Sequence, residues 1–126
     1  MVFNPGSDVQ TRYVLFDRLK VPVRGHTPSG LASTQDDYLL PFIVTHPIAR
    51  EVVRYRKLAK LLTTYIRPYQ ALSAQSTNGR IHCDYGMSVT GRFQGRDPVN
   101  LSAIPAHSPE AVAVRNGFVA REGHSF

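Results

Sequence analysis

The sequence predicts an α+β fold: helices first, then a β-hairpin, a short helix and the start of a strand. Three observations carry this expectation. An apolar stripe of helical spacing runs from Ile48 to Ile66. Capping and breaking signals at Ser7, Pro47, Pro68, Ser108-Pro109 and Asn116-Gly117 divide the chain into helices of ordinary length. Beyond Pro68 the helical pattern gives way to turn residues and a short β-type run. This divides the chain into a helical part, residues 1–68, and a mixed part, residues 69–126.

Ser7 followed by Gln10 has the form of a capping box, so a helix is expected from Asp8 to about Lys20. Val9, Tyr13, Phe16 and Leu19 or Lys20 would trace its apolar face, and Val21-Pro22 would end it. Val23 to Ser33 is rich in Gly, Pro, Ser and Thr and reads as an exposed loop. Ser33 or Thr34 then caps a short helix. Its first turn carries Asp36 and Asp37, which suit the positive end of a helix dipole better than a metal site.

The third helix has the strongest pattern. Pro47 stands in its first turn, where a missing N–H costs nothing. Ile48, Val52, Tyr55, Ala59, Leu62 and Ile66 recur at spacings of four and three, an amphipathic stripe that Pro68 is expected to close. Arg56 and Lys60 are four apart and share one side. Next, Ser76-Thr77-Asn78-Gly79 signals a turn, and Arg80 to Tyr85 reads as a strand paired with Tyr69 to Ala74. Ser108-Pro109-Glu110 starts a last helix, Asn116-Gly117 ends it, and Phe118-Val119-Ala120 begins a strand.

The 126 residues have the length of one domain, with 42% hydrophobic and 19% charged residues, as in a folded protein. No apolar run has the length of a membrane span and no charged-then-apolar leader is present, which points to the cytoplasm. Fifteen basic residues oppose nine acidic ones, a net charge of +6. A surplus of this size favours a polyanionic partner, nucleic acid above all. Arg50, Arg54, Arg56, Lys57, Lys60 and Arg67 crowd one segment with only Glu51 against them. A basic helix face can also serve solubility alone.

Catalytic patterns are missing. His82 and Cys83 are adjacent on the expected strand and so point to opposite faces, which rules out a thiol–imidazole dyad. The five histidines have no ligand spacing, and the single cysteine builds neither a zinc site nor a disulfide. There is no phosphate loop of the GxxxxGK type. Asp84, Asp97, Glu110 and Glu122 are isolated along the chain, whereas two-metal chemistry needs carboxylates that converge. What remains is binding equipment. Arg56 and Lys60, with Thr63 or Thr64 a turn later, can donate to phosphates. Thr90-Gly91-Arg92 sets an arginine beside a glycine, where a backbone can approach a ligand closely.

Several ordered segments resemble one family. They are Val14-Leu15-Phe16-Asp17-Arg18-Leu19, Thr27-Pro28-Ser29-Gly30, His46-Pro47, Tyr55-Arg56, Lys60-Leu61, Gly79-Arg80-Ile81-His82, Thr90-Gly91-Arg92 and Asp97-Pro98-Val99-Asn100-Leu101-Ser102-Ala103-Ile104-Pro105. In this order they are similar to the thumb-to-palm region of family A DNA polymerases, the bacterial DNA polymerase I type. The resemblance implies antiparallel thumb helices over residues 1–68. A palm-edge hairpin, a short helix and the first palm strand would follow over 69–126. It implies a DNA-directed DNA polymerase, a nucleotidyltransferase of replication or repair. The partners implied are a primer–template duplex and the rest of the polymerase, in a bacterial or virus-infected cell.

By the same resemblance, Arg56 and Lys60 hold the duplex backbone, with Thr63 and Thr64 beside them. Arg92 tests the minor groove at the primer terminus, and Asn100 contacts DNA near the active site. Minor-groove acceptors are common to all Watson–Crick pairs, so an arginine there tests geometry without reading sequence. The family usually has Asp-Pro-Asn-Leu-Gln-Asn-Ile-Pro. Here Val99 is inserted, and Ser102 and Ala103 replace the glutamine and asparagine. These departures mark a divergent member, with a viral source as one reading. The family's metal-binding aspartate would lie just beyond Phe126. Hence no catalytic or metal-binding residue is expected in this chain, and Mg2+ is expected only in the complete polymerase. The alternative reading is a stand-alone nucleic-acid-binding module without catalysis.

Overall fold

Ser7 opens the first helix, its Oγ accepting a hydrogen bond from the Gln10 N–H. The box is not closed in the usual way, because Gln10 Oε1 accepts from Asn4 N at 2.8 Å. The computed structural model of the chain describes residues 3–120 and 122–125. Two compact units are present, Met1–Ala59 and Lys60–Phe126.

In the first unit, α1 (Asp8–Arg12) runs into a wide π turn, Tyr13–Arg18, closed by the Leu19 N–H on the Val14 carbonyl. Lys20 then takes a positive φ of 54°. The apolar face differs from the expected one. Val9, Tyr13 and Leu19 are exposed, while Thr11 and Leu15 are fully buried. Neighbours fix which side of a helix faces inward, and the wide turn shifts the phase that simple 3.6-residue counting assumes.

The loop that follows is pinned rather than free. Arg12 Nε donates to the Ala32 carbonyl at 2.9 Å, and Ser33 N to the Gly25 carbonyl at 2.8 Å. Gly25 lies under the Tyr38 ring, where a Cβ would come within 2.4 Å of ring carbon. The short α2 (Asp36–Leu39) begins after Gln35, not after a capping Ser33 or Thr34. Ser33 Oγ instead accepts from Gln35 N, and Thr34 is buried. A 3-10 turn, Leu40–Phe42, completes it.

The next helix, α3, spans Pro47–Lys60. Ala49, Val52 and Val53 join Leu15, Val21 and Leu39 in the core, with Phe3, Phe16, Phe42 and Ile48 packed around them. Tyr55, expected on the buried stripe, is exposed.

In the second unit the helical backbone continues through a π turn, Leu61–Ile66, into α4, Arg67–Gln75. Pro68 therefore does not close the helix. The Arg67 N–H reaches back to the Leu62 carbonyl, and Pro68 falls in the first turn of α4, where its missing donor matters little. Gln70, Ala71, Leu72 and Ala74 are good helix formers, so Tyr69 to Ala74 satisfies its backbone locally and forms no strand.

The hairpin is built elsewhere. Strand β1 (Tyr85–Met87) pairs antiparallel with β2 (Phe93–Gly95), placing Tyr85 opposite Gly95 and Met87 opposite Phe93. Asp84 and Arg96 extend the ladder through Arg96 N on the Asp84 carbonyl. Gly91, at φ 74°, turns the loop between the strands. The turn at Ser76–Gly79 forms as expected, with Gly79 at φ 69°.

Next come a 3-10 turn, Leu101–Ala103, and α5, Pro109–Asn116, capped by Ser108 Oγ on Ala111 N at 3.1 Å. Phe118 to Ala120 form no strand. Phe118 instead packs its ring edge-on against Tyr69, centroids 5.5 Å apart. Among the described residues of this unit, the buried hydrophobic ones are Tyr69, Val99 and Ala111.

Candidate nucleic-acid interface

Of the six residues expected to meet DNA, the first unit carries Arg56 alone. Its side chain is only 20% exposed. Nη2 donates to Asp8 Oδ1 at 2.8 Å and to Thr34 Oγ1 at 3.2 Å, and Nη1 donates to the Thr34 carbonyl. Asp36 Oδ1 stands 3.7 Å from Nη1. Thr34 Oγ1 also donates to Asp8 Oδ1 at 2.8 Å. The guanidinium thus ties α1, the loop and α2 to α3. The planar fork of arginine suits such a task, because its donors diverge in fixed directions. No spacing rule pairs Arg56 with residues this distant, so sequence pattern gave no sign of the cluster.

The second unit carries the other five. Lys60, Thr64, Arg92 and Asn100 are exposed, and neither Lys60 nor Arg92 makes an ion pair among the described residues. Thr63 is exposed as well. Arg92 closes the hairpin loop: its N–H donates to Ser88 Oγ at 3.1 Å, and its carbonyl accepts from Ser88 N at 2.8 Å. Gly91 beside it has open space where a Cβ would stand.

The altered motif Asp97 to Pro105 is folded against the helix. The Asp97–Pro98 peptide bond is cis. Val99 is 8% exposed. It lines a groove of about 240 Å³ with Thr64, Tyr65, Pro68, Tyr69, Pro98, Asn100 and Ala103. Asn100 caps the 3-10 turn, its Oδ1 accepting from Ser102 N at 3.0 Å. That leaves the Nδ2 donors of Asn100 without a partner among the described residues. Ser102 Oγ accepts from Gly95 N at 3.2 Å, and Tyr65 OH donates to the Ala103 carbonyl at 3.0 Å. Sequence reading missed Tyr65 and Ser102. The one signal present was that Ser102 is small and hydroxylated where a glutamine is usual.

Burial pushes the Tyr69 phenol above its ordinary pKa, with Tyr65 and Cys83 adding to the effect. The half-buried Cys83 lies beside Tyr85, and the hydrogen bond between them raises the Tyr85 pKa. Among the described residues no three His, Cys, Asp or Glu side chains converge. No described helix is long and apolar enough to cross a membrane.

The model of DNA polymerase family A matches residues 1–126. The chain belongs to DNA polymerase family A. Among curated family A relatives, the thermostable DNA polymerase I of Thermus thermophilus is 40% identical over 124 residues, 96% of this chain and 15% of the relative. DNA polymerase I of Treponema pallidum is 36% identical over 124 residues, 97% of this chain and 12% of the relative. These family A relatives are bacterial. A solved structure, the POL domain of Pol1 from M. smegmatis in complex with DNA primer-template and dNTP, superposes with a TM-score of 0.79. It is 30% identical and covers 97% of this chain and 21% of that one. The chain therefore spans 12% to 21% of these matched chains.

Proposed function

We propose that this chain is the thumb and the first edge of the palm of a DNA-directed DNA polymerase. It grips the primer–template duplex and checks the terminal pair. Residues 1–68 serve as the thumb-like part and 69–126 as the beginning of the palm. Nucleotidyl transfer and its Mg2+ belong to the rest of the polymerase, which is this chain's protein partner. Its setting is the cytoplasm of a bacterium or of a virus-infected host.

The observation that carries the reading is the exposed donor set of the second unit. Lys60, Thr63 and Thr64 lie along one helical segment, Arg92 at the hairpin loop, and Asn100 presents its amide. These are the residue types that bind phosphates and groove acceptors. The solved relative is in complex with DNA primer-template, which supports the same partner. Arg56 belongs to the proposed set on a different footing, because a phosphate must compete there with Asp8 and Asp36.

Duplex affinity measured against salt tests the proposal. Lys60→Ala should reduce the log–log slope by about one for every phosphate the side chain neutralises. An unchanged slope would show that this cation only solvates the surface. A chain that binds duplex but supports no synthesis alongside any complementing segment would favour a stand-alone binding module.

A further inference from the structure

The Val99–Ala103 turn is anchored at both ends in the second unit. At one end Val99 is buried beside Tyr65, Pro68 and Tyr69. At the other, the Ala103 carbonyl accepts from Tyr65 OH. Between them Asn100 Oδ1 holds Ser102 N, and Ser102 Oγ takes the Gly95 N–H at the end of β2. Ser102 and Ala103 therefore each have a structural part: Ser102 through a short hydroxyl, Ala103 through its carbonyl alone. With its Oδ1 holding the cap, the Asn100 amide has both Nδ2 donors left for a ligand. A donor of fixed orientation discriminates between correctly and incorrectly shaped partners better than one that rotates, because less ordering accompanies binding.

We propose that Tyr65 is a positioning residue for primer-terminus checking. Its hydroxyl holds the Ala103 carbonyl and thereby fixes the orientation in which Asn100 presents its amide to DNA. This inference rests on the reading of Asn100 as a DNA-binding residue. It adds a residue that touches no DNA, and it couples the helical segment bearing Thr64 to the motif bearing Asn100.

The experiment has two arms on the whole chain. Hydrogen exchange by NMR reads the turn without DNA. Tyr65→Phe keeps the ring and removes the hydroxyl. It should speed exchange at the Ser102 and Gly95 amides while leaving the Ser88 amide of the hairpin loop unchanged. Tyr69→Phe is the control, since the Tyr69 hydroxyl makes no hydrogen bond among the described residues; it should leave Ser102 unchanged. Exchange that rises throughout the second unit, or not at all, overturns the proposal.

The second arm compares binding to matched and 3′-mismatched primer–templates. Tyr65→Phe should lower the matched-to-mismatched ratio by on the order of fivefold, the worth of one hydrogen bond, without changing the salt slope. Asn100→Ala should do the same, and the double variant no more than either. Independent, multiplying effects would overturn the coupling. If the parent chain binds no duplex, the reading of Asn100 as a DNA-binding residue fails, while the exchange arm still decides whether Tyr65 orders the turn.

Discussion

Arg56 shows how far a residue's role depends on what surrounds it. Its guanidinium is mostly buried and meets two carboxylates, a hydroxyl and a carbonyl. Removing one partner of such a set leaves the others under-satisfied, which costs about 2 kcal/mol for hydrogen bonds to charged groups. Asp8 is 68% exposed at its side chain, so solvent recovers part of that loss. Arg56→Ala should therefore lower the chain's stability by about 1–2 kcal/mol in chemical denaturation. Arg56→Lys should restore only part of it, because one ammonium cannot reach Thr34 and both carboxylates in the same fork. Lys60→Ala, at an exposed position, should leave the denaturation midpoint within error. If Arg56→Ala were neutral for stability, the cluster would be incidental and the side chain free for phosphate.

At the scale of elements, two glycines of the hairpin region do different jobs. Gly91 has a positive φ with open space around it, so a side chain there meets only backbone strain. Gly95 is buried. A Cβ at this position would come within 3.0 Å of Leu101 N, 3.2 Å of Cys83 Sγ and 3.3 Å of Asn100 Oδ1. Gly91→Ala should cost about 1 kcal/mol and leave the Asp97–Pro105 motif intact. Gly95→Ala should cost about 1–3 kcal/mol by overpacking and push the motif off β2, seen as faster exchange at Ser102. Equal effects on Ser102 in the two variants would contradict the close packing of β2 on the motif.

Helix ends divide by how local their causes are. The caps at Ser7 and Ser108 were legible because a cap is settled within four residues. The end expected at Pro68 was not, because a π turn before a proline makes the ring harmless, and no local propensity announces such a turn. The strand expected to pair with Tyr69 to Ala74 failed for the same kind of reason. Arg80 to Tyr85 is β-like in composition, but Gly91 supplies the nearer turn and Phe93–Gly95 the partner.

For the whole molecule, the family assignment and the site chemistry point in one direction. The chain matches a family of polymerases over its full length, yet the carboxylates among its described residues do not converge. Phosphoryl transfer of this kind depends on metals held by convergent carboxylates. On the proposed function, the chain alone should extend no primer. Co-expression with a polymerase segment that begins at the first catalytic aspartate should yield a complex with Mg2+-dependent primer extension. Extension by the isolated chain, or a purified complex without any extension, would each refute this assignment of labour.

Residues close together in the chain settle the caps, the basic surplus, the organisation of helices followed by mixed structure, and the ordered motifs that identify the family. There, propensity, capping and charge act without help from distant segments. Three further features wait on packing. Leu15 and Thr11 are buried in preference to Val9 and Tyr13. The Arg56 charge goes to Asp8, 48 residues away. Tyr65 and Ser102 hold the turn that bears Asn100. The reason is physical: helix phase, ion-pair partner and loop anchoring are settled by whichever distant groups pack nearest, and their free energies arise only once the chain has folded.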